Sequence, residues 1–235
     1  MKILAVDSAE KSCSLALVDD GIPVCEEFYC TGTTHSSTLM DMVDHMLCKR
    51  AGISGADIDG FAVAKGPGSF TGLRIGISVV KGLAFAASKP CAGISSLDGI
   101  AWQMAASVLP VCAMMDAKRG EVYCAVYRFE NCELVEKSIE MAVSPEDAAD
   151  YAGKNALFAG SGAVVFRDII KKRLGPDSNP VFVPGFLNHV RAAALAEVLF
   201  HDPALLSHDP CAVMPVYLRR SDAEINSKYS AGTPI

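Results

Sequence analysis

The sequence predicts an α/β protein made of two related lobes, each a mixed sheet carrying helices, and three observations support this. Residues 2–7 form an apolar run closing on Asp7, and residues 111–116 form another closing on Asp116. Each run opens the same series of strand, turn, strand, turn, strand, which marks a repeated supersecondary plan although the residues themselves are not repeated. Between these series, short apolar runs alternate with segments of helical period, the grammar of sheets covered by helices. The third observation is the seam at residues 65–76, KGPGSFTGLRIG, which joins an apolar strand to an apolar helix. The expected division is 1–108 for the first lobe and 109–220 for the second, with helix 188–200 able to pack back on the first lobe and 221–235 a polar tail.

In order along the chain, residues 2–7 read as a buried strand and 12–18 as a partner across the turn at 8–11. Asp19-Asp20-Gly21 is a hairpin signal leading to a third strand at 22–30. Thr33 or Thr34 can cap a helix over 35–50, where Leu39, Met42, Val43, Met46 and Leu47 fall on one stripe, and Gly52 stops it. Residues 60–64 form the strand before the seam. In the seam Pro67 fixes φ, the glycines permit close backbone approach, and Ser69 or Thr71 can cap the helix over 71–87. That helix is apolar on nearly all sides, so the pattern predicts burial all round. Its interior glycines each cost about 1 kcal/mol of helix propensity against alanine, which close packing must offset. Residues 91–94 read as a strand and 97–108 as a helix capped by Ser95 or Ser96.

The second lobe begins after Leu109-Pro110. Strands are expected at 111–115 and 121–129 and as a pair within 134–143. Ser144-Pro145-Glu146-Asp147 starts a helix with a serine cap, a first-position proline and an acidic first turn. A strand at 156–159, a turn at Gly160-Ser161-Gly162, a helix over 163–174 and a helix over 188–200 capped by Asn188 complete the lobe.

Composition narrows the function. With 51% hydrophobic and 20% charged residues in 235, the chain is globular. Its net charge of -6 argues against autonomous nucleic-acid binding, which depends on phosphate neutralisation by Lys and Arg. Nine cysteines form no Cys-x-x-Cys pair and sit mostly in apolar runs, as reduced core thiols do. The apolar runs fall short of the roughly 20 residues a membrane span needs, and Asp7 comes too early for a signal peptide, so the expected location is cytosolic.

Asp7 and Asp116, at equivalent strand ends, would face a cleft between lobes where a nucleotide could lie. Gly66, Gly68 and Ser69 could cradle an anion through backbone donors. A phosphate-binding hairpin, however, wants a glycine just after the acid, and Ser8-Ala9-Glu10-Lys11-Ser12 supplies none while Glu10 adds repulsion. The seam matches neither a Walker loop nor a dinucleotide fingerprint. The five histidines show no His-x-x-x-His or His-Glu-x-x-His spacing, and no Gly-x-Ser-x-Gly elbow occurs, so neither a metal centre nor a serine nucleophile is expected.

Residues 3–7 (ILAVD), the seam at 65–76, 81–84 (KGLA), 95–97 (SSL), 116–123 (DAKRGEVY) and 215–219 (PVYLR) together resemble the TsaB (YeaZ) family. The resemblance implies the two-lobed fold of actin, the sugar kinases and the heat-shock chaperone ATPases. It implies a part in making threonylcarbamoyladenosine next to the anticodon of tRNA, as a non-catalytic scaffold that binds and activates the catalytic subunit TsaD. At Ser96 and Ile100 TsaD would carry metal-binding histidines; neither side chain here could hold that metal. The resemblance places pairing, with TsaD or with a second copy when alone, on the first two helices. His35, Leu39, Met42, Val43 and Met46 are then contact residues on one helix, and Thr71, Leu73, Arg74, Ile77 and Lys81 on the other. A further partner, TsaE, is an ATPase. ATP and metal are expected in these partners and no cofactor in this chain, which would meet tRNA only through the complex. The alternative is an enzyme that hydrolyses ATP or transfers a group in its own cleft.

Overall fold

The computed structural model describes residues 1–30 and 35–219; the cap expected at Thr33 or Thr34, Arg220 and the tail at 221–235 lie outside the described residues. Two mixed sheets follow the repeat in the sequence. In the first, β1 (Lys2–Asp7), β2 (Cys13–Asp19) and β3 (Ile22–Tyr29) are antiparallel, while β4 (Gly60–Gly66) and β5 (Cys91–Ser95) run parallel to β1, giving the order β3-β2-β1-β4-β5. The second repeats this plan with β6 (Val111–Lys118) in the place of β1. Here β7 (Glu121–Glu130) and β8 (Glu133–Lys137) are antiparallel neighbours, and β10 (Leu157–Ala159) and β11 (Val181–Phe182) are parallel ones. A short β9 (Met141–Val143) pairs with β7 rather than with β8.

Helix α1 (His35–Asp44) continues as a wider π-type turn over His45–Ala51 and ends at Gly52, whose φ of 65° is the left-handed stop the sequence predicts. Helix α2 (Phe70–Ala87) is capped by Ser69, whose Oγ accepts the Gly72 N–H at 3.3 Å. Helix α3 (Ser96–Ala101) is shorter than the 97–108 expected. It tightens into one 3-10 turn over Trp102–Met104 and then yields to the turn before Pro110, where Ser107 and Leu109 bond each other.

In the second lobe α4 (Pro145–Ala152) is capped by Ser144 as expected. The helix expected over 163–174 is two, α5 (Ser161–Val165) and α6 (Arg167–Leu174), because Phe166 leaves the helical region at φ −106°, ψ 17°. The last helix, α7 (Ala192–His201), starts four residues later than expected. Asn188 caps no helix there: its Oδ1 accepts the Gly160 N–H at 2.9 Å and its Nδ2 donates to the Pro184 carbonyl. Helix α7 packs on β1, β2 and β4 of the first sheet, on the face where the Ala192 N–H meets Ser14 Oγ, while Val63 turns to the other face beside Gly76 of α2; Leu195, Leu199 and Val63 all belong to the main core. A smaller core of Met114, Val122, Phe158, Ala163 and Ile170 fills the far side of the second sheet.

Burial all round is not what α2 shows. Gly72, Leu73, Gly76, Ile77, Val80 and Ala84 face inward against β4 and its neighbours, but Ile75, Val79 and Leu83 are only half-buried and Phe85 is 79% exposed. By length and composition α2 is also the one helix among the described residues apolar enough to cross a membrane, contrary to the expectation from run length; its packed inner face belongs to the lobe's core.

Candidate docking face and interlobe cleft

The glycine-rich seam is shaped by the loop that follows β1. Ser69 N–H donates to the Ala9 carbonyl at 2.6 Å, and Ser8 Oγ donates to the Gly72 carbonyl at 2.9 Å. A Cβ on Gly72 would overlap the Ser8 carbonyl oxygen, so only glycine lets α2 lie this close. Gly68 lies in the same way against Ala9. At Gly66 the reason is different: φ is 116°, and the Val216 carbonyl crosses where a Cβ would stand. For Gly72 and Gly76 the compensation is thus within the chain, against Ser8 and its loop, whereas Gly82 has no neighbour within 4 Å of a Cβ position.

Of the residues expected at a partner interface, the structure places Leu39, Met46 and Leu73 at 0% exposure, with Met42, Val43 and Ile77 also buried in the lobe's own core. These six hold the lobe together and are corrected to core residues; a partner could touch them only if the lobe opened. Thr71 and Arg74 are exposed and Lys81 is half-exposed, while His35 lies in α1. The outer face that remains carries Phe70, Thr71, Arg74, Ile75, Ser78 and Val79 around a shallow depression, with Phe85 and Leu83 a turn or two along. Sequence periodicity missed Phe70, Ile75, Val79 and Phe85 because an all-apolar helix gives no sign of which side is inner. The glycines give no consistent signal either, since Gly72 and Gly76 lie on the packed face and Gly82 on the exposed one.

The interlobe cleft brings Asp7, Glu10, Asp116 and Ser161 together. Asp7 is fully buried; its Oδ1 accepts the Ala9 N–H at 3.0 Å, and its Oδ2 has no hydrogen-bond partner among the described residues. Burial first, then the Glu10 charge, pushes its carboxyl up to about 8 despite that donor. Glu10 reaches across the cleft to accept from Ser161 Oγ, and Ser161 Oγ accepts the Asp116 N–H at 3.0 Å. Burial, with a contribution from Asp116, raises the Glu10 carboxyl above its ordinary range while the Ser161 bond opposes the rise. Asp116 itself accepts from Lys118 Nζ at 2.5 Å. A polyphosphate placed here would meet the Glu10 and Asp116 carboxyl groups where it needs donors. Ser69, exposed at its helix start, uses its side chain on Gly72 and its N–H on Ala9.

Ser96 and Ile100 are both fully buried, and among the described residues no group of three or more His, Cys, Asp or Glu side chains is placed to hold a metal ion. A second cavity of about 470 Å³ lies between β5, α3, β8 and α7. Among the groups lining it, Lys137 pairs with Asp98 and Glu140 at 2.7 and 2.9 Å, and His201 Nδ1 lies 3.0 Å from a Glu133 carboxylate oxygen.

Comparison with known proteins agrees with this architecture. A family model described as TsaD, tRNA N6-adenosine threonylcarbamoyltransferase, matches residues 30–227. The chain is 40% identical over 150 residues to the tRNA threonylcarbamoyladenosine biosynthesis protein TsaB of Escherichia coli (strain K12), covering 62% of this chain and 64% of that one. It is 28% identical over 227 residues to the TsaB of Bacillus subtilis (strain 168), covering 95% and 96%. The solved YeaZ of Pseudomonas aeruginosa superposes with a TM-score of 0.75 at 28% identity over 92% of this chain and 99% of that one. Two lobes with matching strand order form the fold, and the chain belongs to the TsaB/YeaZ family, whose Escherichia coli and Bacillus subtilis members are named tRNA threonylcarbamoyladenosine biosynthesis proteins.

Proposed function

We propose that this chain is a non-catalytic subunit of the cytosolic assembly that makes threonylcarbamoyladenosine in tRNA, and that it docks and activates a TsaD-type catalytic subunit on the outer face of α2. The observation that carries the reading is that face: a helix apolar enough to be wholly buried leaves Phe85 79% exposed, Phe70 37% exposed and Ile75 and Val79 half-exposed around Arg74. The non-catalytic role draws support from the cleft, where Glu10 takes the position an anion would need. In this reading a second copy uses the same face when the partner is absent, a TsaE-type ATPase joins the pair, tRNA is met through the complex, and ATP and metal reside in those partners.

The test pairs Ile75→Asp with Val79→Asp and measures affinity for the purified TsaD-type subunit of the same organism by calorimetry. A charge buried in a packed interface costs about 2 kcal/mol or more, so binding should fall by about 30-fold or more; both side chains also pack on the lobe's core, so the thermal midpoint falls too, and affinity is measured well below the variant's own midpoint. Wild-type affinity in the folded double variant would show that the docking surface is elsewhere. Titration of the chain alone with Mg-ATP separates the reading from an enzyme working in its own cleft: no binding heat is expected, and micromolar binding removed by Asp7→Ala would sink the non-catalytic role.

A further inference from the structure

The last described residues run across both lobes. On the first lobe, Val216 N–H donates to the Lys65 carbonyl at 2.7 Å, and Val213 is buried. Tyr217 then stacks on Phe70, centroids 4.7 Å apart, and its hydroxyl accepts from Arg74 Nε at 3.2 Å, while the Arg74 guanidinium lies 3.7 Å over the Phe70 ring. Two residues on, Arg219 reaches the second lobe, donating to the Ala117 carbonyl at 2.8 Å and lying 3.5 Å from a Glu121 carboxylate oxygen. The same two places are joined by an independent route through the cleft floor. The seam holds the Ser8-Ala9 loop, Glu10 continues from it to Ser161, and Ser161 holds the Asp116 N–H. Both routes end on the hairpin between β6 and β7 and both begin on the first turn of α2.

We propose that residues 213–219 form an interlobe clasp that, with the Glu10–Ser161 contact, links the outer face of α2 to the β6–β7 hairpin, so that a change at either end alters closure of the cleft and is felt at the other. The contacts suit that role: one anchor is an aromatic and cationic stack on the helix surface, the other a charged side chain on backbone carbonyls of the opposite lobe, and only the short stretch at Leu218 separates them. The inference stands on these contacts and does not depend on what docks on α2. Because coupling between two places is reciprocal, it has a test that needs no partner.

Amide exchange in the full chain, followed residue by residue by NMR, reads both ends. Ser69 and Leu73 N–H report the α2 end, and Asp116 and Lys118 N–H report the hairpin. Arg219→Ala should speed exchange at Ser69 and Leu73, and Tyr217→Ala should speed it at Asp116 and Lys118, each by about tenfold, the scale set by losing one charge-assisted bond or one stacked ring. Amides in β1 and α7 should keep their wild-type rates. Tyr217→Phe, which keeps the ring and loses only the bond from Arg74, should give a smaller cross-effect in the same direction and guards against a variant that fails to fold. Faster exchange confined to the end that was altered would overturn the clasp. A uniform rise that includes β1 and α7 would overturn it too, since that reports lost stability and not linkage.

Discussion

Glu10 and Ser161, one from each lobe, share a hydrogen bond across the cleft, and the same serine oxygen accepts the Asp116 N–H at 3.0 Å. That hydroxyl donates to a carboxylate that burial disfavours. Ser161→Ala removes the donor while leaving Glu10 in place, and should lower the free energy of unfolding by about 1–3 kcal/mol. Glu10→Gln keeps an acceptor for Ser161 and removes a charge that burial and Asp116 disfavour, so it should cost less. Urea unfolding of both variants at pH 7 gives the comparison; a larger loss for Glu10→Gln would mean that the charge itself holds the lobes together.

Asp7 gives the fold a pH dependence of known sign. Burial pushes its carboxyl from the ordinary 3.8 up to about 8, so between these limits the folded state binds the extra proton. Stability from this group is full below about pH 4 and falls by about 1.4 kcal/mol per pH unit until roughly pH 8, where the loss is complete. Asp7→Asn removes the titration and keeps an oxygen for the Ala9 N–H. The difference in unfolding free energy between variant and wild type should therefore grow in the variant's favour from pH 5 to pH 8. Parallel curves across that window would show that Asp7 does not titrate there.

Much of the fold was legible because strand ends, hairpin turns and caps are local. Asp19-Asp20-Gly21, Ser144-Pro145 and Gly52 each act within a few residues, and each element they bound is found where the pattern put it. What failed was long-range. Asn188 reads as a cap until its side chain is seen on Gly160, and Phe166 reads as helical until α5 and α6 part around it. At the docking face the stripe Leu39, Met42, Val43 and Met46 was found correctly as a stripe, but a stripe only says that a face is apolar. Whether the lobe or a partner covers it is decided by strands far away in sequence; here the lobe covers it completely.

The nine cysteines divide by place. Cys30, Cys48, Cys132 and Cys211 are exposed, Cys25 is intermediate, and Cys13, Cys91, Cys112 and Cys124 are buried. Burial pushes the Cys13 thiol up to about 12 and Cys124 to about 11, so neither offers thiolate at neutral pH. Titration of the native chain with an aromatic disulfide reagent should consume the four exposed thiols first and Cys25 more slowly, and leave the other four silent until denaturant is added. Rapid reaction of all nine would mean that the lobes open on the timescale of the assay.

Two glycines of α2 should respond to the same substitution with opposite signs. At Gly72 a methyl group would overlap the Ser8 carbonyl oxygen, which is backbone held by its own loop, so either the loop or the helix start must move. Gly72→Ala should cost about 1–3 kcal/mol, the range for overpacking, despite alanine's better helix propensity. At Gly82, on the exposed side of the same helix, a Cβ would have nothing within 4 Å. Gly82→Ala should stabilise the chain by about 0.5–1 kcal/mol, through propensity and a less flexible unfolded state. Thermal or urea unfolding of the two variants measures both. Equal and small effects would show that the Ser8-Ala9 loop yields easily and that the seam is not the rigid joint between β1 and α2. If Gly82→Ala leaves the chain folded and stabilised but weakens binding of a TsaD-type subunit, the exposed side of α2 needs close backbone approach from outside as well, and the glycines of this helix divide between an inner neighbour and an outer one.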